Sequence, residues 1–333
     1  MEKLKYNIQI EKLCKLLGLG DVLSKPLRVS GGFLHKMYSV NTTSGKYAIK
    51  ALNPEIMSRN DSKNNTIVSE KISNYLSNKI LVSTALVINN NVIHCLDGQN
   101  YMIFNWINGI KMNMNDITLR HCYLIGSILS NIHSVDWKDI NIDKNCDYYD
   151  SVIDWTGYLN EGKSNNSLWV KTLDEIINSL YVWNELAIKS YNSINSNLVI
   201  SHRDMDPKNV LWNNEKPIII DWESAGYVNP MQDLIEVALY WSENLSGNIG
   251  KNKFMNVING YKENRQINYD ECKKALYAIY LNKLQWLEYS LKQSLALNCV
   301  SEDDREIGTS EVFETIRKIQ NYSDMIKIIE QWI

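Results

Sequence analysis

Two short apolar runs, Leu-Val-Ile at 198–200 and Ile-Ile-Ile at 218–220, each lead into a cluster of polar side chains, and this pairing constrains the chain more than any other feature. Bounded by polar and turn residues, each run predicts a short buried strand. His202 and Asp204 follow the first, with Asn209 five positions beyond Asp204, and Asp221 follows the second. One such loop is unremarkable, because Asp, Asn and His populate turns. Two loops together supply a carboxylate for a hydroxyl and hard oxygen donors for Mg²⁺. Phosphoryl transfer needs that set, since its loose transition state calls for positioning and charge neutralisation more than covalent help. Asp204 is the candidate base or orienter, Asn209 and Asp221 are the candidate catalytic Mg²⁺ ligands, and His202 is a candidate brace for the loop.

Upstream, residues 27–30, 36–41 and 46–52 read as three strands, with turns at Gly31-Gly32 and Ser44-Gly45. The third contains Ala48-Ile49-Lys50, and an amphipathic helix over about 61–78 carries Glu70. A further strand over 101–106 precedes the linker-like Ile107-Asn108-Gly109. Helical periodicity dominates the rest, at about 168–189, 231–243, 251–261, 270–296 and 310–332. Leu124, Ile128 and Ile132 recur at i+4 beside Ile125 and Leu129, which marks a buried helix face, and His133 after that stripe reads as a core residue. Gly157 to Ser164 match the phosphate-loop expression GxxxxGK[ST]. The preceding segment, 148–155, is too polar for the buried strand that such a loop follows.

The pattern HxDxxxxN, then an apolar strand and D-x-[DE], is met by His202, Asp204, Asn209, Asp221 and Glu223, and it resembles the aminoglycoside phosphotransferase and choline kinase superfamily. Protein kinases share much of it, but here Trp222 and Glu223 follow Asp221 where their DFG triplet has Phe and Gly. Pro230 and an apolar helix arrive too soon for an activation segment, and Asp206 stands where those enzymes usually carry Lys. The resemblance implies an α+β, bilobal, protein-kinase-like fold. A small antiparallel-sheet lobe over 1–105 would bind nucleotide, and a larger, mainly helical lobe over 106–333 would hold catalytic and substrate groups. It implies ATP or GTP and Mg²⁺ as cofactors, with nucleotide contacts at Gly31, Gly32 and Lys50 and through linker backbone near Ile103 to Asn105, and an ion pair between Lys50 and Glu70. Asp206, Glu223, Glu236, Trp286 and Glu288 are candidate acceptor contacts, with Asp233, Trp241, Glu243 and Tyr289 nearby. Many acids and aromatics suit an amine-bearing acceptor. The expected activity is transfer of a γ-phosphate to a hydroxyl of such a molecule, antibiotic resistance being one such role. The alternatives are a choline or homoserine type of metabolite kinase and a non-catalytic, kinase-shaped coat or binding protein.

With 333 residues, 44% of them hydrophobic, the chain is long enough for two lobes. A net charge of −3 gives no nucleic-acid footprint. Six cysteines without a CxxC pair read as reduced thiols of a cytoplasmic protein, and no apolar run suggests a signal peptide or membrane span.

Overall fold

Alternation along the strand Gly45–Ala51 (β3) sends Ile49 and Ala51 into one core and leaves Lys50 on the opposite face, and this split places the candidate site. The computed structural model describes residues 5–29, 35–138, 142, 149–297 and 302–333. The chain forms two units, Met1–Met112 with His202–Gly226, and Asn113–Ser201 with Tyr227–Ile333. Residues 202–226, which chain order assigned to the second lobe, therefore pack with the first.

In the first unit β3 is the middle strand of a five-stranded antiparallel sheet. Its partners are β1 (Leu27–Val29), β2 (Lys36–Thr42), β4 (His94–Leu96) and β5 (Gln99–Asn105), in the order β1-β2-β3-β5-β4. β2 and β3 pair in unbroken register from Lys36 opposite Ala51 to Thr42 opposite Gly45. Helix α1 (Ile10–Leu17) sets Ile10, Leu13 and Cys14 against Val40, Ile49, Tyr101 and Ile103, each such side chain stabilising by about 1.5–3 kcal/mol. It stops at Gly18, whose φ of 69° lies in the left-handed region that glycine reaches without strain. Leu52, Ala85 and Met102 form a second cluster, with Met57 of α2 (Pro54–Met57) packed on it. Helix α3 (Ser62–Leu76) buries Glu70, Ile72, Ser73 and Leu76.

The returning segment adds a three-stranded sheet to this unit, in the order β6 (Ile110–Lys111), β8 (Val210–Asn213), β9 (Lys216–Ile219). Its hairpin turns at Asn214 and Glu215, both at positive φ (47° and 62°), as a two-residue turn matched to strand twist requires. Ser83 N–H donates to the Ile219 carbonyl at 2.9 Å, and Ile219 N–H to that of Leu81 at 3.0 Å, so β9 is tied into the unit just before Asp221.

The second unit is helical. Its elements are α4 (Leu119–His133), α5 (Trp155–Ser164), α6 (Val170–Ile194), α7 (Pro230–Ser242), α8 (Lys251–Tyr261), α9 (Tyr269–Ala278), α10 (Tyr280–Ser294) and α11 (Glu302–Ile329). The short strands β7 (Val199–Ser201) and β10 (Gly226–Val228) lie where the chain leaves and re-enters it. α4 and α8 cross closely because Gly126 and Gly260 meet there; a Cβ on either would strike the backbone of Val257 or Tyr123. α7 starts at Asn229, whose side chain accepts from Met231 and Gln232 N–H, and nearly all of its residues are buried. The single helix expected over 270–296 is two, α9 and α10. Ile279 between them keeps helical dihedrals (φ −60°, ψ −21°), so no Gly, Pro or change of apolar period marks the break. Among the described residues no helix is long and apolar enough to cross a membrane.

Candidate active site

The loop after β7 is held by its histidine. His202 Nδ1 accepts from Asp204 N–H at 3.2 Å while Nε2 lies 2.9 Å from the Ile220 carbonyl, so the ring carries its proton on Nε2 and ties the loop to the end of β9. Its ring meets that of Trp222 edge-on, with centroids 4.6 Å apart. Asn209 Nδ2 donates to both the Asp204 carbonyl (2.8 Å) and Asp204 Oδ2 (2.9 Å). The Asn209 amide is thereby oriented, and its Oδ1 is the atom left for a cation. Asp204 Oδ1 lies 3.5 Å from Lys208 Nζ. Burial pushes the Asp204 carboxyl above the usual aspartate range, against the pull of Lys208. Asp206 caps the following turn by accepting from Lys208 N–H at 2.8 Å.

Asp221 follows β9 with φ 62° and ψ 61°, a left-handed conformation that costs a non-glycine residue about 1 kcal/mol and that sites retain where a side chain must be aimed. Lys50 Nζ lies 2.8 Å from Asp221 Oδ1 and 2.6 Å from Glu223 Oε2. Burial disfavours both charges, but the pairing outweighs it, holding the ammonium of Lys50 above its ordinary value and the Asp221 carboxyl below its own. The expected ion pair of Lys50 with Glu70 is not the one formed. Glu70 Oε2 accepts from Ala85 N–H at 2.8 Å and from Ser73 Oγ at 3.3 Å, and burial pushes its carboxyl up. Glu70 still lines a small cavity with Lys50, Met102, Phe104, Asp221 and Glu223.

Asn209 Oδ1 and the Asp221 carboxylate are hard oxygen donors of the kind Mg²⁺ takes, an ion that binds through one or two protein oxygens plus phosphates and water. Among the described residues no group of three or more His, Cys, Asp or Glu side chains forms a self-sufficient metal site. On β5 the sequence singled out Ile103 and Asn105. Ile103 turns its side chain into the α1 core, and its carbonyl accepts from Leu86 N–H at 2.7 Å. Asn105 is exposed. Strand alternation gives the cavity face to the side chains of Met102 and Phe104, whereas the contacts expected near Ile103 and Asn105 are backbone ones. Gly31 and Gly32 lie outside the described residues. Sequence reasoning passed over His35, the residue before β2, whose Nε2 lies 3.4 Å from Glu223 Oε2; a lone His before a strand offers no spacing that links it to residue 223.

In the second unit Glu236 is buried and accepts from Asn282 Nδ2 (3.0 Å) and Tyr240 OH (3.1 Å). Trp286 is half exposed on α10 and stacks on Tyr289, with centroids 5.3 Å apart. Glu288 is engaged by Lys292 Nζ (2.7 Å) and Tyr158 OH (2.8 Å). Helical spacing sets it on a different face of α10 from Trp286. His133 is wholly enclosed, its Nε2 2.9 Å from Asp233 Oδ2 and its Nδ1 2.9 Å from Tyr261 OH, in accord with a core role. The phosphate-loop match at 157–164 lies inside helix α5, and Lys163 pairs with Asp174 at 3.5 Å; a helical backbone presents no loop of N–H groups to a phosphate.

The model of the phosphotransferase enzyme family matches residues 27–265. No curated protein matches the chain. Among solved structures, a spectinomycin phosphotransferase in complex with ADP and spectinomycin superposes with a TM-score of 0.70 at 14% identity, covering 98% of this chain and 100% of that one. A choline/ethanolamine kinase family protein from Mesorhizobium loti gives 0.60 at 14% identity, over 96% and 97% of the two chains. An amicoumacin kinase bound to AMP-PNP and Ca²⁺ also gives 0.60 at 14% identity, over 94% of each. The likeness at these identities is one of fold, the protein-kinase-like arrangement of a small antiparallel sheet and a larger helical part.

Proposed function

Because the chain belongs to the phosphotransferase enzyme family, we propose that it transfers the γ-phosphate of ATP or GTP to a hydroxyl of a small, amine-containing molecule. The observation that carries this is the coupled orientation of Asp204 and Asn209: one amide clamps the carboxylate and leaves its own Oδ1 for a cation. Asp204 Oδ1 is then the atom that accepts the acceptor's proton as its oxygen bonds to the γ-phosphorus and the β–γ bridging bond breaks. Asn209 Oδ1 and Asp221 would hold Mg²⁺, which supplies charge neutralisation on the phosphate oxygens. Lys50 supplies a second cation at the α- and β-phosphates once it leaves the carboxylates that now hold it.

An amine-bearing acceptor is supported by what the similar proteins take, spectinomycin in one and choline or ethanolamine by name in another. Trp286 on α10, half exposed, offers an aromatic face of the kind that suits a cationic amine. Choline or homoserine type metabolite kinases share the same chemistry and differ only in acceptor. A non-catalytic scaffold is disfavoured by the joint retention of Lys50, Asp204, Asn209 and Asp221.

The test is nucleotide consumption with ATP and with GTP against aminoglycosides, spectinomycin, macrolides, choline, ethanolamine, homoserine and simple amino alcohols. Release of nucleoside diphosphate that depends on one acceptor class is expected. Absence of both turnover and nucleotide binding would overturn the proposal.

A further inference from the structure

Lys50 is held by two carboxylates, and only one of them has an evident fate when nucleotide binds. Asp221 would turn to Mg²⁺. Glu223 would be left as an unneutralised charge beside incoming phosphates, a repulsion that a hydrogen-bond donor to its carboxylate would lessen.

We propose that His35 is a positioning residue for nucleotide binding, its Nε2–H being the donor that takes the Glu223 carboxylate when Lys50 passes to the phosphates. The inference rests on the nucleotide-binding role proposed above. Three observations carry it. His35 Nδ1 accepts from Asn53 N–H at 2.9 Å, so the neutral ring must carry its proton on Nε2, the nitrogen that faces Glu223. The Nε2 to Glu223 Oε2 separation is 3.4 Å, beyond a good hydrogen bond and short of separation, while the same oxygen is drawn to Lys50 at 2.6 Å. The His35 side chain is 9% exposed and lines the same small cavity as Lys50 and Asp221, so its ring is held in place beside a carboxylate that is itself 33% exposed. An anchoring role for the turn accounts for the Asn53 bond alone and leaves the aim of Nε2 unexplained.

The test is a double-mutant cycle on equilibrium binding of Mg²⁺ with ADP or GDP, whichever the unmodified protein binds, read by calorimetry. His35→Leu is expected to weaken binding about tenfold, or about 1.4 kcal/mol, in the unmodified background and less than twofold in Glu223→Gln. The lost Asn53 bond is common to both backgrounds and cancels. Equal losses in both would overturn the proposal. Should His35→Leu fail to fold, His35→Phe fills the same volume without a donor. Glu223→Gln alone is also decisive: unchanged or tighter binding is expected, and a tenfold weakening would overturn the proposal. If the unmodified protein binds no nucleotide, the phosphotransferase assignment falls and this inference with it; if it binds and the cycle is additive, this inference alone falls.

Discussion

Asp233 and Asp221 each sit beside a basic partner, and their surroundings differ in every respect that matters. Asp233 is 2% exposed, its His133 partner is closed off by Tyr261 at the other ring nitrogen, and Arg265 binds the His133 carbonyl. Asp221 has a side chain 38% exposed, sits in left-handed backbone and shares its lysine with a second carboxylate. A buried polar group with all its partners in place has nothing left to offer a ligand, so the first cluster braces helices. A strained, accessible carboxylate whose cation can be drawn elsewhere is poised for exchange. The contrast sets a structural cluster against the proposed catalytic one, although both combine acidic and basic side chains.

The largest effect that would sharpen this contrast is on turnover. Asp204→Ala is expected to lower kcat by about 10²–10⁴-fold with nucleotide binding largely kept, as measured in the acceptor-dependent assay. Lys50→Ala comes next: kcat/KM for nucleotide should fall about 10²–10³-fold, while Lys163→Ala in helix α5 leaves it unchanged. A larger loss from Lys163→Ala would return the phosphate-loop match to contention.

The comparison also reads on stability. Asp233→Ala leaves His133 Nε2 without its partner in a closed site, and a loss of about 2–3 kcal/mol is expected in denaturant unfolding. Burial holds the His133 imidazole below its ordinary value of 6.5, even with Asp233 favouring the charged form. The unfolded chain therefore takes up a proton that the folded one refuses, so this contribution is full above about pH 6.5 and is lost as the pH falls below it. The smallest effect is at Lys208, whose exposed ammonium opposes the burial that raises the Asp204 carboxyl. Lys208→Ala should move the acid limb of the kcat/KM profile to higher pH; a shift to lower pH would contradict the assigned base.

Much of the candidate site's local geometry was legible because its residues lie close in sequence. His202, Asp204 and Asn209 share one loop, and its hydrogen bonds follow from that spacing. Lys50 was legible from its strand. Its partner was not, since the choice between Glu70 and the pair Asp221 and Glu223 is made by tertiary placement: the Glu70 carboxylate is claimed by Ala85 N–H, and β9 delivers Asp221 to Lys50. His35 was invisible for the same reason. In the fold, the β2–β3 hairpin and α3 stood out by period and turn chemistry, whereas the break at Ile279 leaves no mark in residue type. The grouping of 202–226 with the first unit depends on β6–β8 pairing, which no local pattern encodes.

Metal-dependent nucleotide binding tests the central claim most directly. Calorimetric titration of the unmodified protein with ADP and GDP, with and without Mg²⁺, should give binding that tightens with the metal. Asp221→Ala should abolish that tightening. Metal-dependent binding of equal strength in Asp221→Ala would contradict the assignment of this carboxylate, and with it the site built around Lys50, Asp204 and Asn209.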